Sequence, residues 1–553
     1  MQSTEFLLHQ RSGVVTAKSA KQWLKELPMA DARSAHHAGS ALLREVANAA
    51  LAPFDRLEIL ETLRSHLAEI DLLYSRRYAG KSLPLVLAER NAFTHAQRQW
   101  RALACAYLEI FELAADGTAN LAARRALCLA RAGGYFCDAL KGHLRAGQAG
   151  AEEIIEDLQR LHELATEHGL VDTKVRDSLH PRGVTSIALI YSRALLIGQG
   201  ATINGGLERE AMFALAQAWE GKIVCKALPI DARGEARREE LPPAPGERRQ
   251  RLRQTRFGQR MHLLDVTLLS RSLRKRMRKL GAGDPLLPDS LPEQFRQLPI
   301  REVLGRLHTI WCEQRDARLE QRSEAGATPL AGRPQVVSLS HAGDDYRAMH
   351  FMVAGRLLEL NDDDAGSRRR HDELFVFQHA SLSRQEARLR EASRLFEDWI
   401  IADESATGFG LRRMRAGARF RIGQLIAMRL RLDGSDGPVV LAQVRWLREP
   451  ETASGDHAPG ALQAGVEILK GKPHAVGLRP AGPEAVAGAV HCAAFRLGSL
   501  HAKESVMVIA PCGWYKPDRL LEMNDAGLVY RLRASALLQR GCDFEQFEAV
   551  IIA

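Results

Sequence analysis

Asp403, Ser405 and Gly408 fall within the stretch Asp403-Glu404-Ser405-Ala406-Thr407-Gly408-Phe409-Gly410 and are the residues best equipped for binding chemistry. Short Asp and Ser side chains bond nearby backbone N–H groups, and glycine reaches positive φ without steric cost. An apolar run, Trp399-Ile400-Ile401, precedes them, and alternation resumes over 420–428. The spacing predicts a strand, a tight turn and a second strand, with Gly408 in the left-handed region.

A second concentration of charge is Arg271, Arg274, Lys275, Arg276, Arg278 and Lys279. Such a run suits a nucleic-acid or acidic-membrane surface. It equally suits a solvated helix face, because Leu268, Leu269, Leu273, Met277 and Leu280 recur at helical spacing beneath it. Single-strand binders interleave aromatics with their cations. None does so here, so the solvated face is preferred and nucleic acid is not an expected partner.

Little else carries chemistry. The eight cysteines are scattered without a C-x-x-C pair, and His491 beside Cys492 supplies too few metal ligands. The His36-His37 pair is expected in a solvent-exposed loop, and Gly133-Gly134 is the other local oddity. No metal, disulfide or cofactor is expected. The chain has no G-x-x-x-x-G-K phosphate loop, nucleophile elbow, H-E-x-x-H or recognisable carboxylate pair, so an enzyme is not expected.

The elements that must position these residues divide the chain by texture. At 553 residues, 46% apolar, 26% charged and net +10, it is long enough for several globular domains. From about 34 to 220 the pattern is helical. Asp55 with Glu58 reads as a cap after Pro53, and Leu60, Leu63, Leu67 and Ile70 share one face. Further helices are predicted over 83–113 and 120–144, then from Glu152-Glu153 to a stop at Gly169. A bundle or short solenoid follows from such segments, and no fixed repeat period is present.

Strands at 222–228 and 261–266 predict a small β insertion around a Pro- and Arg-rich linker holding Arg253 and Arg256. Beyond 333 the texture is β-rich, with a loop carrying Asp362–Asp364 and Arg368–Arg370. A helix from the Ser383/Glu386 capping box is expected to run through Trp399. Strands follow at 439–447 and 462–469, and in the tail at 504–510, 527–532 and 547–552. The expected fold is α+β: a large all-α amino-terminal scaffold (1–221), a basic segment with the β insertion and helices (222–330), an antiparallel β-barrel (331–475) and a β-rich extension (476–553). No stretch is apolar enough to span a bilayer and the amino terminus lacks a signal-peptide core, so a cytoplasmic location is expected.

The pattern D-x-S-x-x-G at Asp403, Ser405 and Gly408 resembles the signature of PilZ domains. The later strands, with Gly423-Gln-Leu-Ile-Ala, Val444-Arg-Trp-Leu and Gly465-Val-Glu-Ile-Leu, are similar to that family in order and spacing over 395–475. The resemblance implies a bacterial β-barrel receptor for cyclic di-GMP, with Asp403 and Ser405 on a guanine edge and Gly408 allowing close approach. It also implies an upstream R-x-x-x-R pair, for which the candidates are Arg384/Arg388 and Arg390/Arg394. Arginine suits that role because its planar fork pairs with phosphate and guanine and stacks on bases. The function implied is a signalling effector that binds cyclic di-GMP at the barrel and relays it through the helical half to an unidentified protein partner. The alternative is a ligand-independent adaptor using both parts as protein-binding surfaces.

Overall fold

A computed structural model describes residues 14, 16–114, 119–200, 203, 206–227, 252–257, 260–281, 295, 300–313, 336–341, 346–354, 396–405, 407–432, 435–449, 461–482, 491–498 and 505–552. They form two compact units, Met1–Lys81 with Leu85–Gln321, and Ser82–Pro84 with Arg322–Ala553.

The first unit is built on helices α1 (Ala17–Lys25), α2 (Ala32–Asn48), α3 (Pro53–Ser75), α4 (Leu87–Leu113), α5 (Ala119–Ala122), α6 (Arg125–Ala146), α7 (Ala151–Glu167), α8 (Ile187–Gln199) and α9 (Gly206–Trp219). Local chemistry sets their ends. Thr16 and Ser19 exchange side-chain bonds to each other's N–H at the start of α1, and Asp31 accepts from Arg33 N–H at the start of α2 (3.0 Å). Pro53 is the first residue of α3, where its missing N–H costs nothing. Asp55 therefore lies inside the first turn and does not cap it. Gly147 and Gly169, both at positive φ, follow α6 and α7.

Leu60, Leu63, Leu67 and Ile70 are all buried, as their spacing requires. Gly133 lets α6 press on α7 and α8: a Cβ there would stand 3.0 Å from Ile187 and 3.1 Å from Leu161. The His36-His37 pair departs from expectation, since it lies on α2 and not in a loop. His36 is buried and stacked on Tyr74 at 3.8 Å, and burial pushes its imidazole down to about 3.

A short hairpin, β1 (Val175–Arg176) with β2 (Val184–Thr185), precedes α8. The β insertion has three strands and not two: β3 (Val224–Ala227) and β4 (Leu252–Phe257) both pair with β5 (Arg260–Asp265). Arg253 and Arg256 thus belong to a strand, where sequence composition alone reads linker. Helices α10 (Thr267–Gly281) and α11 (Ile300–Cys312) complete the unit, burying Leu269, Leu273, Leu304, Leu307 and Trp311.

The second unit contains two closed antiparallel barrels. The first runs in the order β10 (Ser435–Arg448), β11 (Leu462–Ile468), β8 (Gly408–Arg413), β7 (Phe396–Ser405), β6 (Val336–His341), β9 (Leu425–Leu432). The second is β12 (Pro473–Pro480), β13 (Cys492–Leu497), β14 (Ser505–Pro511), β17 (Phe544–Ile551), β16 (Leu528–Arg540), β15 (Leu520–Asp525). Closure removes sheet edges that would otherwise pair with other chains. Helix α12 (Arg347–Ala354) carries Met349 and Met352 into an apolar cluster with Leu425 and Leu441 of the first barrel and Phe495 and Phe544 of the second. Leu425 N–H donates to Asp543 Oδ1 (2.9 Å) and Cys542 N–H to the Gly423 carbonyl (2.9 Å), so hydrogen bonds also join the barrels.

The helix expected through Trp399 is overturned at its end, because Phe396 and Trp399 lie in β7. The capping box, the acidic and basic loop and the arginines of 384–394 lie outside the described residues.

Candidate functional site

Asp403 and Ser405 close β7, Gly408 opens β8, and Ser405 pairs with Gly408 across the turn. The register then carries the motif sideways. Asp403 pairs with Gly410, Gly410 with Gly465 and Gly465 with Trp446, so one row crosses β7, β8, β11 and β10. Beyond it on one side lies a row of Ser405, Gly408, Glu467 and Gln443, and on the other a row of Ile400, Arg412, Gln463 and Arg448.

Successive strand residues point to opposite faces. The residues between these rows, Leu411, Val444, Ala464 and Val466, are buried, whereas Arg412 and Arg448 are exposed. The row of Asp403, Gly410, Gly465 and Trp446 therefore faces out of the barrel, while Gln443 at the end of the next row is buried.

Glycine is demanded here by approach. A Cβ on Gly408 would lie 1.8 Å from the Val466 carbonyl oxygen, and one on Gly410 would lie 2.5 Å from both carboxylate oxygens of Asp403. A Cβ on Gly465 would lie 1.9 Å from Trp446 Nε1. The Asp403 carboxylate thus folds over Gly410, and the Trp446 indole over Gly465. Bulges between Ile401 and Asp403 and between Val444 and Trp446 re-aim the two side chains. Gly408 is not among the positive-φ residues, so the left-handed conformation expected of it is replaced by close strand contact.

The surroundings are fixed by ordinary bonds. Arg445 Nε donates to Glu467 Oε2 (2.5 Å) and its Nη1 to Gln443 Oε1 (2.7 Å). Ile468 N–H donates to the Thr407 carbonyl (2.9 Å), tying the turn to β11. Inside the barrel, Arg413 donates to Glu397 Oε2 (2.7 Å) and lies 5.2 Å above the Trp399 ring and 5.8 Å from that of Phe420. Burial pushes the Glu397 carboxyl up, but the Ala418 N–H and Arg413 outweigh it and hold the group below its usual range.

Chemically, the outer face offers a carboxylate and an indole, each lying over a glycine, and two arginines. A planar ring could donate N–H bonds to Asp403 and stack on the outward side of Trp446. Sequence reasoning placed Asp403, Ser405 and Gly408 at this turn and missed Gly410, Arg412, Arg448 and Trp446. The alternation of Arg412 with Leu411 and of Arg448 with Leu447 was the available signal. Arg384, Arg388, Arg390 and Arg394 lie outside the described residues. Among the described residues no cluster could hold a metal ion, and no helix is long and apolar enough to cross a membrane.

No curated protein and no solved structure matches the chain. Residues 18–218, most of the helical bundle, match the family described as "Cyclic-di-GMP receptor FimW, N-terminal domain".

Proposed function

We propose that this protein is a cyclic di-GMP effector whose ligand docks on the glycine-paved outer face of the first barrel. The observation that carries this reading is the match of 18–218 to the amino-terminal domain of a cyclic di-GMP receptor. The D-x-S-x-x-G turn on a closed six-strand barrel in the same chain supports it from a separate region. In this reading Asp403 accepts the N–H donors of a guanine, Trp446 stacks on the base, and Arg412 and Arg448 meet the phosphates. The bound nucleotide then favours one presentation of the helical half to a protein partner, in the cytoplasm and without a catalytic step.

Isothermal titration with cyclic di-GMP tests it. Saturable binding is expected, weakened about tenfold or more by Asp403→Ala and by Arg412→Gln with Arg448→Gln. A folded protein that takes up no cyclic di-GMP at physiological salt would sink the proposal. One observation favours the second reading, a ligand-independent adaptor: Asp403 and Trp446 already cover Gly410 and Gly465. Absence of binding together with retained capture of a partner would establish it.

A further inference from the structure

The helical unit contains a cleft of ≈ 300 Å³ lined by Trp219, Lys222, Ser272, Lys275, Arg276 and Lys279. Four of these six residues are cations and none is acidic. Helix α10 sorts its charges into two rows. Ser272, Lys275, Arg276 and Lys279 recur at the i, i+3, i+4, i+7 spacing of one helix face and line the cleft. Arg271, Arg274 and Arg278 are exposed on a neighbouring row, while Leu269 and Leu273 are buried beneath the helix.

The opposite wall is the 3-10 turn Glu220–Lys222, immediately after α9. Lys222 Nζ donates to Ser272 Oγ (2.7 Å), which in turn donates to the Leu268 carbonyl (2.8 Å), so the ammonium is held at the cleft. Burial, then the charges of Arg182, Arg276 and Lys275, push the Lys222 ammonium below its usual range. Glu220, the adjacent carboxylate, is turned inward and fully buried against His180 (2.8 Å) and Arg193 (3.7 Å). It cannot neutralise the cleft. A merely solvated basic face spreads its cations apart, whereas this fold brings one from a second element to converge with three from α10. Converging like charges in a concavity raises the local affinity for anions, and the volume sits at the small end of ligand pockets.

We propose that this cleft binds a phosphate-bearing small molecule, gripped by Lys222, Lys275 and Arg276, with Trp219 at its wall. Its lining residues all belong to the helical unit, and the proposal does not rest on the barrel face. A mononucleotide, a cyclic dinucleotide and an inorganic ion share the relevant group.

Calorimetric titration of the full chain with pyrophosphate, GTP and cyclic di-GMP distinguishes them. Pyrophosphate or GTP is expected to bind, with affinity lowered about tenfold by Lys275→Gln with Arg276→Gln and changed less than about twofold by Arg271→Gln with Arg274→Gln. Asp403→Ala should leave that binding intact. Should cyclic di-GMP binding be lost in the Lys275/Arg276 variant and kept in Asp403→Ala, the cleft is the dinucleotide's own site and the barrel proposal falls. Absence of binding by all three probes overturns the inference. Equal losses from both double variants also overturn it, since the charge would then act diffusely. A short DNA duplex that binds more tightly than any small phosphate, and is released equally by both variants, assigns α10 to nucleic acid instead.

Discussion

In the first barrel Gly408, Gly410 and Gly465 sit within strands, where an added Cβ would meet a carbonyl, a carboxylate or an indole. In the second barrel Gly498, Gly513 and Gly527 sit between strands at positive φ, with open space where a Cβ would go. Its in-strand Gly477 would bring a Cβ to 3.1 Å from the side chain of His491, a contact that a small shift relieves. Both barrels close with six strands, so closure alone does not call for the first pattern. Gly408, Gly410 and Gly465 let other groups of the first barrel lie close against its strands, whereas Gly498, Gly513 and Gly527 serve the second where its chain reverses.

The sharpest way to break the contrast is to fill one glycine of each kind. Gly408→Ala drives a Cβ into the Val466 carbonyl and must open the β8–β11 pairing, costing about 3 kcal/mol or more in urea midpoints. Gly527→Ala meets only backbone strain at φ 96° and should cost about 1 kcal/mol. Equal losses would leave the distinction without energetic content.

A smaller effect separates two ion pairs. The first barrel buries the Arg413–Glu397 pair beside the rings of Trp399 and Phe420, whereas Arg479 of the second barrel is half-exposed beside Glu522. Arg413→Met strands a half-buried carboxylate and should cost about 2–4 kcal/mol. Arg479→Gln removes a half-exposed partner of Glu522 and should cost under about 1 kcal/mol. Comparable losses would mean that the interior charge of the first barrel is solvated.

The smallest effect lies where the barrels meet. Burial pushes the Asp543 carboxyl from its ordinary 3.8 up to about 6, against the opposing Leu425 N–H. Its folded value is raised, so its contribution to stability is full below pH 3.8 and is lost as pH rises through about 6. Asp543→Asn keeps the acceptor for Leu425 N–H and should flatten the pH dependence of the melting temperature, by an equivalent of about 2 kcal/mol between pH 4 and 7. An unchanged slope would show that the carboxyl ionises freely there.

Much of this was legible because it is local. Apolar spacing located α3, α6 and α7, and turn chemistry located the β7–β8 reversal. Where two periods fit the same residues, the reading failed: Phe396 and Trp399 continue a helical stripe, yet Trp399 and Ile401 also alternate, and the barrel took them as strand. Asp55 was misplaced because Pro53 itself can open a helix. The row of Asp403, Gly410, Gly465 and Trp446 joins residues far apart in the chain through register, and a one-residue slip would send each to the other face. No single stretch encodes that. The charges of α10 and their helical spacing were plain to see, but that one row lines a cleft depends on Lys222 arriving from another element.

The carboxylate of Asp543 bonded to Leu425 N–H has a practical corollary. A chain cut near residue 475 would retain every strand of the first barrel yet strip the covering from Leu425, Ala427 and Leu441, which pack with Phe495, Leu497 and Phe544. Bared apolar surface of that kind recruits other molecules. Such a fragment should precipitate or self-associate, and its poor behaviour would say nothing about ligand affinity. The smallest fragment suited to crystallisation or titration of the barrel face is one that keeps its sequel through Ile551.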